Sequence, residues 1–192
     1  MLRKYRLLRD SGIVVFDRKS VANILGLRYA STNPVLDRLV RSGVLRRLRR
    51  DRYVLPETIP EKSCKIANEL VKPSCISLWT ALSNAGMTTQ VPREVQSVTT
   101  KRATLIEGEE LPSFRYVHLP ENLFFGFTPD EGGTFRSDPE KALLDLLYAQ
   151  RGRVDWESIA VGEFDRTRLR TYAQRFPLWI RRALPMRLFG YE

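Results

Sequence analysis

Between Arg46 and Arg52 the chain reads Arg46-Arg47-Leu48-Arg49-Arg50-Asp51-Arg52, five guanidinium groups in seven residues. A guanidinium is a planar fork of donors that matches a phosphate or the edge of a guanine, so this pattern is suited to gripping a polyanion. The bias extends upstream. Residues 1–56 hold 12 Arg and 2 Lys against four acids (Asp10, Asp17, Asp37 and Asp51). Residues 57–192 hold 18 basic and 18 acidic side chains, so the whole formal charge of +10 belongs to the first 56 residues. Like charges at that density repel one another, and nucleic acid such as double-stranded DNA is the natural counterpart, with an anionic membrane surface second.

Groups for bond-making chemistry are sparse. His118 is the only histidine, which leaves any His-based triad or His-rich metal site without a second member. Its place in Tyr116-Val117-His118-Leu119 is that of an ordinary strand residue. Glu140 and Asp145 lie five apart on one predicted helix, roughly 140° around its axis, so they do not share a face. Asp155 and Glu157 could point the same way, but near a turn. Glu140-Lys141 lacks nuclease spacing, and Gly132-Gly133 lacks the strand and helix of a phosphate loop. Cys64 and Cys75 have no C-x-x-C or paired-His context. The expectation is a protein that is not an enzyme, with no catalytic residues, metal or cofactor. Composition (43% apolar, 28% charged) is that of a folding chain. No run approaches 18 apolar residues, and the basic start is followed by only four, Ile13 to Phe16, before Asp17. A reduced, cytoplasmic protein without membrane partners is expected.

The elements that would hold the arginines follow from periodicity and caps. Residues 2–10 predict a basic helix, ended by Ser11-Gly12. Ile13, Val14 and Val15 suit a very short strand. Asp17 is placed to cap a second helix with Val21, Ile24 and Leu25 on one face, closed by Gly26. A third helix begins near Ser31, Thr32 or Asn33, with Pro34 in its first turn. Because proline disfavours helical dihedrals in the residue before it, Asn33 is the expected cap. Val35, Leu36, Leu39 and Val40 form the apolar face; Asp37, Arg38 and Arg41 lie opposite. After Gly43, Val44 to Leu55 reads as a hairpin turning at Arg50-Asp51 and ended by Pro56. Three helices and a basic hairpin make a winged helix-turn-helix, its third helix in the major groove. The candidate DNA-binding residues are Arg28, Ser31, Thr32, Asn33, Asp37, Arg38 and Arg41, together with Arg46, Arg47, Arg49, Arg50 and Arg52, all expected to line one surface.

Beyond the 1–56 unit, residues 57–73 read as a linker with a leading helix, and 74–192 as a mixed α+β domain. There the pattern predicts a helix over 77–86 and strands over 95–100, 114–119 and 123–127. Helices follow from Asp138-Pro139 and over 166–175 and 178–184. The fold class is α+β: an N-terminal winged helix-turn-helix followed by a mixed α+β C-terminal domain.

Five segments in order carry a resemblance: Gly43 to Pro56, Ser77-Leu78-Trp79-Thr80-Ala81-Leu82, Val98 to Arg102, Phe124-Phe125-Gly126, and Pro139-Glu140-Lys141-Ala142-Leu143-Leu144-Asp145 continuing to Tyr148. With them the sequence resembles the AbiEi family, the antitoxin component of abortive-infection type IV toxin–antitoxin systems, and related transcription regulators. It departs from the family pattern at Asp51, where glycine is usual; Asp tolerates left-handed dihedrals better than most residues. The resemblance implies a repressor that binds inverted repeats upstream of its own operon. It also implies a neighbouring gene for a nucleotidyltransferase-like toxin, neutralised through the C-terminal domain without an assumed stable complex. The competing expectations are a regulator whose C-terminal domain senses a ligand, and a nucleic-acid-processing enzyme.

Overall fold

The computed structural model describes residues 1–107 and 112–189. It is a mixed α+β structure whose N-terminal part is helical. The first three helices are α1 (Leu2–Asp10), α2 (Arg18–Leu25) and α3 (Thr32–Arg41), followed by the hairpin strands β1 (Arg46–Arg49) and β2 (Arg52–Val54). Asp17 caps α2 reciprocally: its carboxylate accepts from the Ser20 N–H at 2.7 Å, while the Ser20 hydroxyl accepts from the Asp17 N–H at 2.9 Å. Gly26 ends that helix at φ +63.

Two expectations for this region are corrected. No strand forms over Ile13–Val15; the one bridge falls on Phe16, which exchanges backbone hydrogen bonds with Tyr53 at 2.7 and 2.9 Å. Phe16 is the fully buried residue of the run, so packing chooses it over its β-branched neighbours. Asn33 is not the cap of α3. A 3-10 turn, Tyr29–Ser31, runs directly into the helix and Ser31 occupies the cap position without a side-chain bond. Pro34 therefore sits third in the helix, still within the turn whose N–H groups lack intrahelical partners, and its missing donor costs nothing.

The rest of the chain builds one sheet and its covering helices. A 3-10 turn (Pro56–Thr58) leads into α4 (Ile59–Leu70), so the helix expected within 57–73 takes up most of that segment, and Ile59, Ile66, Ala67 and Leu70 are core residues. The sheet contains β3 (Ser74–Ile76), β4 (Glu94–Thr99), β5 (Thr104–Ile106), β6 (Ser113–His118), β7 (Phe127–Pro129) and β8 (Phe135–Ser137), in the order β5-β6-β4-β3-β8-β7. β4 runs parallel to β6 and β3 to β8; the other neighbours are antiparallel. The helices are α5 (Leu78–Asn84), α6 (Pro139–Ala149), α7 (Arg166–Ala173) and α8 (Leu178–Ala183). The strand expected over 123–127 begins only at Phe127. Gly126, at φ +67, breaks the extended run, and a Cβ there would come within 3.1 Å of Lys141 and Tyr172 side-chain atoms. Phe125 instead packs edge-on to Tyr172 at 5.2 Å.

Buried apolar side chains form two clusters. The smaller one unites Leu8, Phe16, Val21, Leu36 and Leu39 with Leu45, Tyr53 and Leu55. The larger fills the space between sheet and helices and includes Leu48 and Val54. The hairpin thus contributes side chains to both. No helix among the described residues is long and apolar enough to cross a membrane.

Candidate nucleic-acid interface

Helix α3 buries Thr32, Val35, Leu36 and Leu39, which leaves Asn33, Asp37, Arg38 and Arg41 exposed along the opposite side. Arg38 folds back so that its Nε donates to the Pro34 carbonyl at 3.2 Å. Between α3 and the hairpin turn lies a groove of about 370 Å³, whose wall contains Asn33 and Asp37 from the helix and Arg47 and Arg50 from the hairpin. Four of the expected residues are therefore brought to one place.

Sequence reasoning did not place Arg18 and Tyr29 here, although both line this groove. The Arg18 guanidinium sits 3.9 Å from the Tyr29 ring centroid and donates to the Tyr29 carbonyl at 2.7 and 3.2 Å. Such a stacked, tethered Arg is held out as a flat cation rather than a loose one. The signal was available only in part, because nothing in the spacing of residues 18 and 29 says that α2 and the 3-10 turn meet. The Arg18 backbone N–H donates to Asp51 Oδ1 at 2.8 Å, which ties the hairpin turn to the first turn of α2. Asp51 adopts φ +56, the left-handed conformation, and adds an anchor that glycine could not provide.

The remaining expected residues are distributed differently. Arg28, just before the 3-10 turn, and Ser31, its last residue, are exposed. Thr32 is fully buried and its Oγ1 donates to the Arg28 carbonyl at 3.1 Å, so it fixes the helix start and offers nothing to a ligand. The arginines of the hairpin do not line one surface. Arg47 pairs with Tyr53, and Arg49 with Arg52, so β1 spends one more residue than β2 over the same interval. This bulge turns Arg49 to the side opposite Arg47. There Arg49 and Arg52 face a second cleft of about 580 Å³, walled by Lys72, Lys101 and Arg102 with Asp17 and Glu69 among them. Arg46 is half-buried.

Titration follows from these contacts. Partial burial acts to raise the Asp17 carboxyl, but the Ser20 N–H and hydroxyl, with Arg52 nearby, outweigh it and hold the group below the usual carboxylate range. Burial pushes the Tyr53 phenol up, so it remains a neutral donor.

A different polar cluster lies deep in the larger core. Lys141 and Asp145, four apart on α6 and 1% and 0% exposed, form an ion pair. Ser77 Oγ donates to the other Asp145 oxygen at 2.7 Å, and the ammonium lies 5.0 and 5.2 Å from the Phe125 and Phe176 ring centroids. Burial pushes the Asp145 carboxyl up, opposed by Lys141 and Ser77. Glu140 accepts the Asp165 N–H at 2.8 Å, and Asp138, at the cap position of α6, makes no side-chain cap bond but accepts from the Tyr172 hydroxyl at 2.7 Å. Lys141, Asp145 and Ser77 are closed off from solvent, so their cluster specifies how α6 packs against α5. Its spacing, Lys and Asp at i and i+4, was legible; its burial was not.

No family model matches the chain, and no curated protein matches it. Among solved structures it is similar to the RV2827C protein from Mycobacterium tuberculosis, with a TM-score of 0.64 and 16% sequence identity, over 97% of this chain and 74% of that one. At that identity the likeness is one of fold.

Proposed function

We propose that the protein is a sequence-specific DNA-binding transcriptional autorepressor, acting in the cytoplasm as the antitoxin of an AbiE-like type IV system. In this reading residues 1–56 are a winged helix-turn-helix. Helices α2 and α3 form the helix-turn-helix, α3 enters the major groove, and the β1–β2 hairpin is the wing. The observation that carries it is the groove between α3 and the hairpin turn, where Asn33, Asp37, Arg47, Arg50 and the stacked Arg18 converge. Arg38 and Arg41 extend that surface along the helix. Arg reads guanine edges and phosphate, Asn reads adenine, and Asp accepts from cytosine, so the set has both specifying and positioning members. The antitoxin role rests on the AbiEi-like motifs; its functional partner would be a nucleotidyltransferase-like toxin, without a stable complex being required.

The experiment is fluorescence anisotropy with the duplex upstream of the gene and with a random duplex, across a salt series. The upstream duplex is expected to bind more tightly. If about six cations displace counterions, log K against log salt falls with a slope near −5. Equal binding to both duplexes, or a flat salt response, would refute the reading. Growth rescue on co-expression with an adjacent nucleotidyltransferase-like reading frame tests the antitoxin part.

A further inference from the structure

Asn68, on α4, is 5% exposed; its Oδ1 accepts from the Phe135 N–H at 2.6 Å, yet its Nδ2 has no hydrogen-bond partner. Native proteins keep few buried donors unsatisfied, and each one calls for a reason. Asn68 lines a pocket of about 600 Å³ between α4 and the β7–β8 hairpin, a size ordinary for small-ligand sites. Three aromatic rings form the hairpin side: Phe127 lies 4.7 Å from Phe124 and 6.0 Å from Phe135, centroid to centroid. The Phe135 ring is 42% exposed although it sits in a strand.

The helix side presents Lys65, Asn68 and Glu69, spaced i, i+3 and i+4 along one face of α4, with Lys72 just past the helix end. Lys72 Nζ lies 2.6 Å and Lys65 Nζ 3.9 Å from the Glu69 carboxylate, and Lys65 also donates to the Gly133 carbonyl at 2.7 Å. Two ammonium groups share one carboxylate, so the rim retains a surplus positive charge. Flat apolar walls select an aromatic ring, and the ammonium groups select a carboxylate.

We propose that this pocket binds a small aromatic carboxylate, its ring against Phe127 and Phe135 and its charge toward Lys65 and Lys72. Glu69 and Lys72 also wall the cleft that Arg49 and Arg52 face. An anion drawn to Lys72 competes with Glu69, and occupancy of the pocket thereby alters the charge balance beneath the hairpin. The binding stands alone; only this link to the hairpin rests on the DNA-binding reading.

Isothermal titration calorimetry of the full chain with indole-3-acetate tests the site, with tryptophol (the neutral analogue) and hexanoate (the non-aromatic one) as controls. One saturable site for indole-3-acetate is expected, weakened about 10-fold or more in each control and in Phe135→Ala and Lys65→Gln, as removal of one charged or stacking interaction would produce. Circular dichroism verifies that both variants are folded. Absence of saturable binding at millimolar indole-3-acetate, or undiminished binding by folded Phe135→Ala, overturns the site; tryptophol binding as tightly as indole-3-acetate overturns the carboxylate assignment. In a second arm, saturating indole-3-acetate is expected to shift the affinity for the upstream duplex, and an unchanged affinity overturns the link. Should the protein bind no duplex at all, the DNA reading fails while calorimetry still decides the pocket.

Discussion

Asp17 shows how much a single side chain can decide. Its exchange of hydrogen bonds with Ser20 sets where α2 begins, and α2 in turn carries Arg18 to the groove. Replacing Asp17 with Ala is expected to cost ~1 kcal/mol, the usual value of such a cap, read from urea denaturation at neutral pH. The difference between wild type and variant should depend on acidity. Because the folded carboxyl titrates below its unfolded value, the contribution is complete above the ordinary 3.8 and disappears as pH falls through the lower folded value. A wild-type advantage that instead grew on acidification would contradict the capping geometry. At this scale the sequence was readable wherever local chemistry rules: the Asp17 cap and the left-handed tolerance of Asp51 follow from residue type. It failed at Asn33, because the 3-10 turn that displaces the cap is held by Thr32, whose burial depends on the packing of α3.

Among the elements, the hairpin and α6 make the sharpest predictions. The double substitution Arg47→Ala, Arg50→Ala removes both hairpin cations from the α3 groove and should reduce both affinity and the magnitude of the salt slope, by about 1 for each phosphate no longer neutralised. The pair Arg49→Ala, Arg52→Ala, equal in charge removed, should disturb a duplex held at α3 much less, since its members face the other cleft. Equal effects in anisotropy titrations would mean that both sides of the hairpin touch the same duplex. On α6, Lys141→Met strands the Asp145 carboxylate in the core and is expected to cost ~3–5 kcal/mol in urea unfolding. Adding Asp145→Leu should restore most of that stability; a double variant as unstable as the single would show that shape, not charge, is what the pair provides. The helices were legible from caps and periodicity. The three-residue strands β3, β5 and β8 were not, because alternation needs more length than they have, and the aromatic run at 123–127 misled because Gly126 interrupts it.

For the molecule as a whole, the hairpin is the joint. Leu45, Tyr53 and Leu55 enter the smaller cluster while Leu48 and Val54 enter the larger, so neither core closes without it. All three tryptophans, Trp79, Trp156 and Trp179, lie in the larger part. Tryptophan fluorescence therefore follows one cluster and helical ellipticity both. The two signals should trace one coincident unfolding transition, and Leu48→Ala should move both by ~2 kcal/mol or more. A fluorescence-silent transition at lower denaturant would show that the clusters unfold independently. Composition located the charge excess in the first 56 residues, but which way each arginine points is a matter of register, and register is written across two strands rather than along one. The extra residue in β1 accordingly acts as a sorting device. A homologue in which β2 gained one uncharged residue to match it would keep the same net charge and the same arginine count, yet would carry Arg47 and Arg49, now two apart in a regular strand, on one flank. Two proteins that electrophoresis could barely separate would then present different faces to a polymer of phosphates.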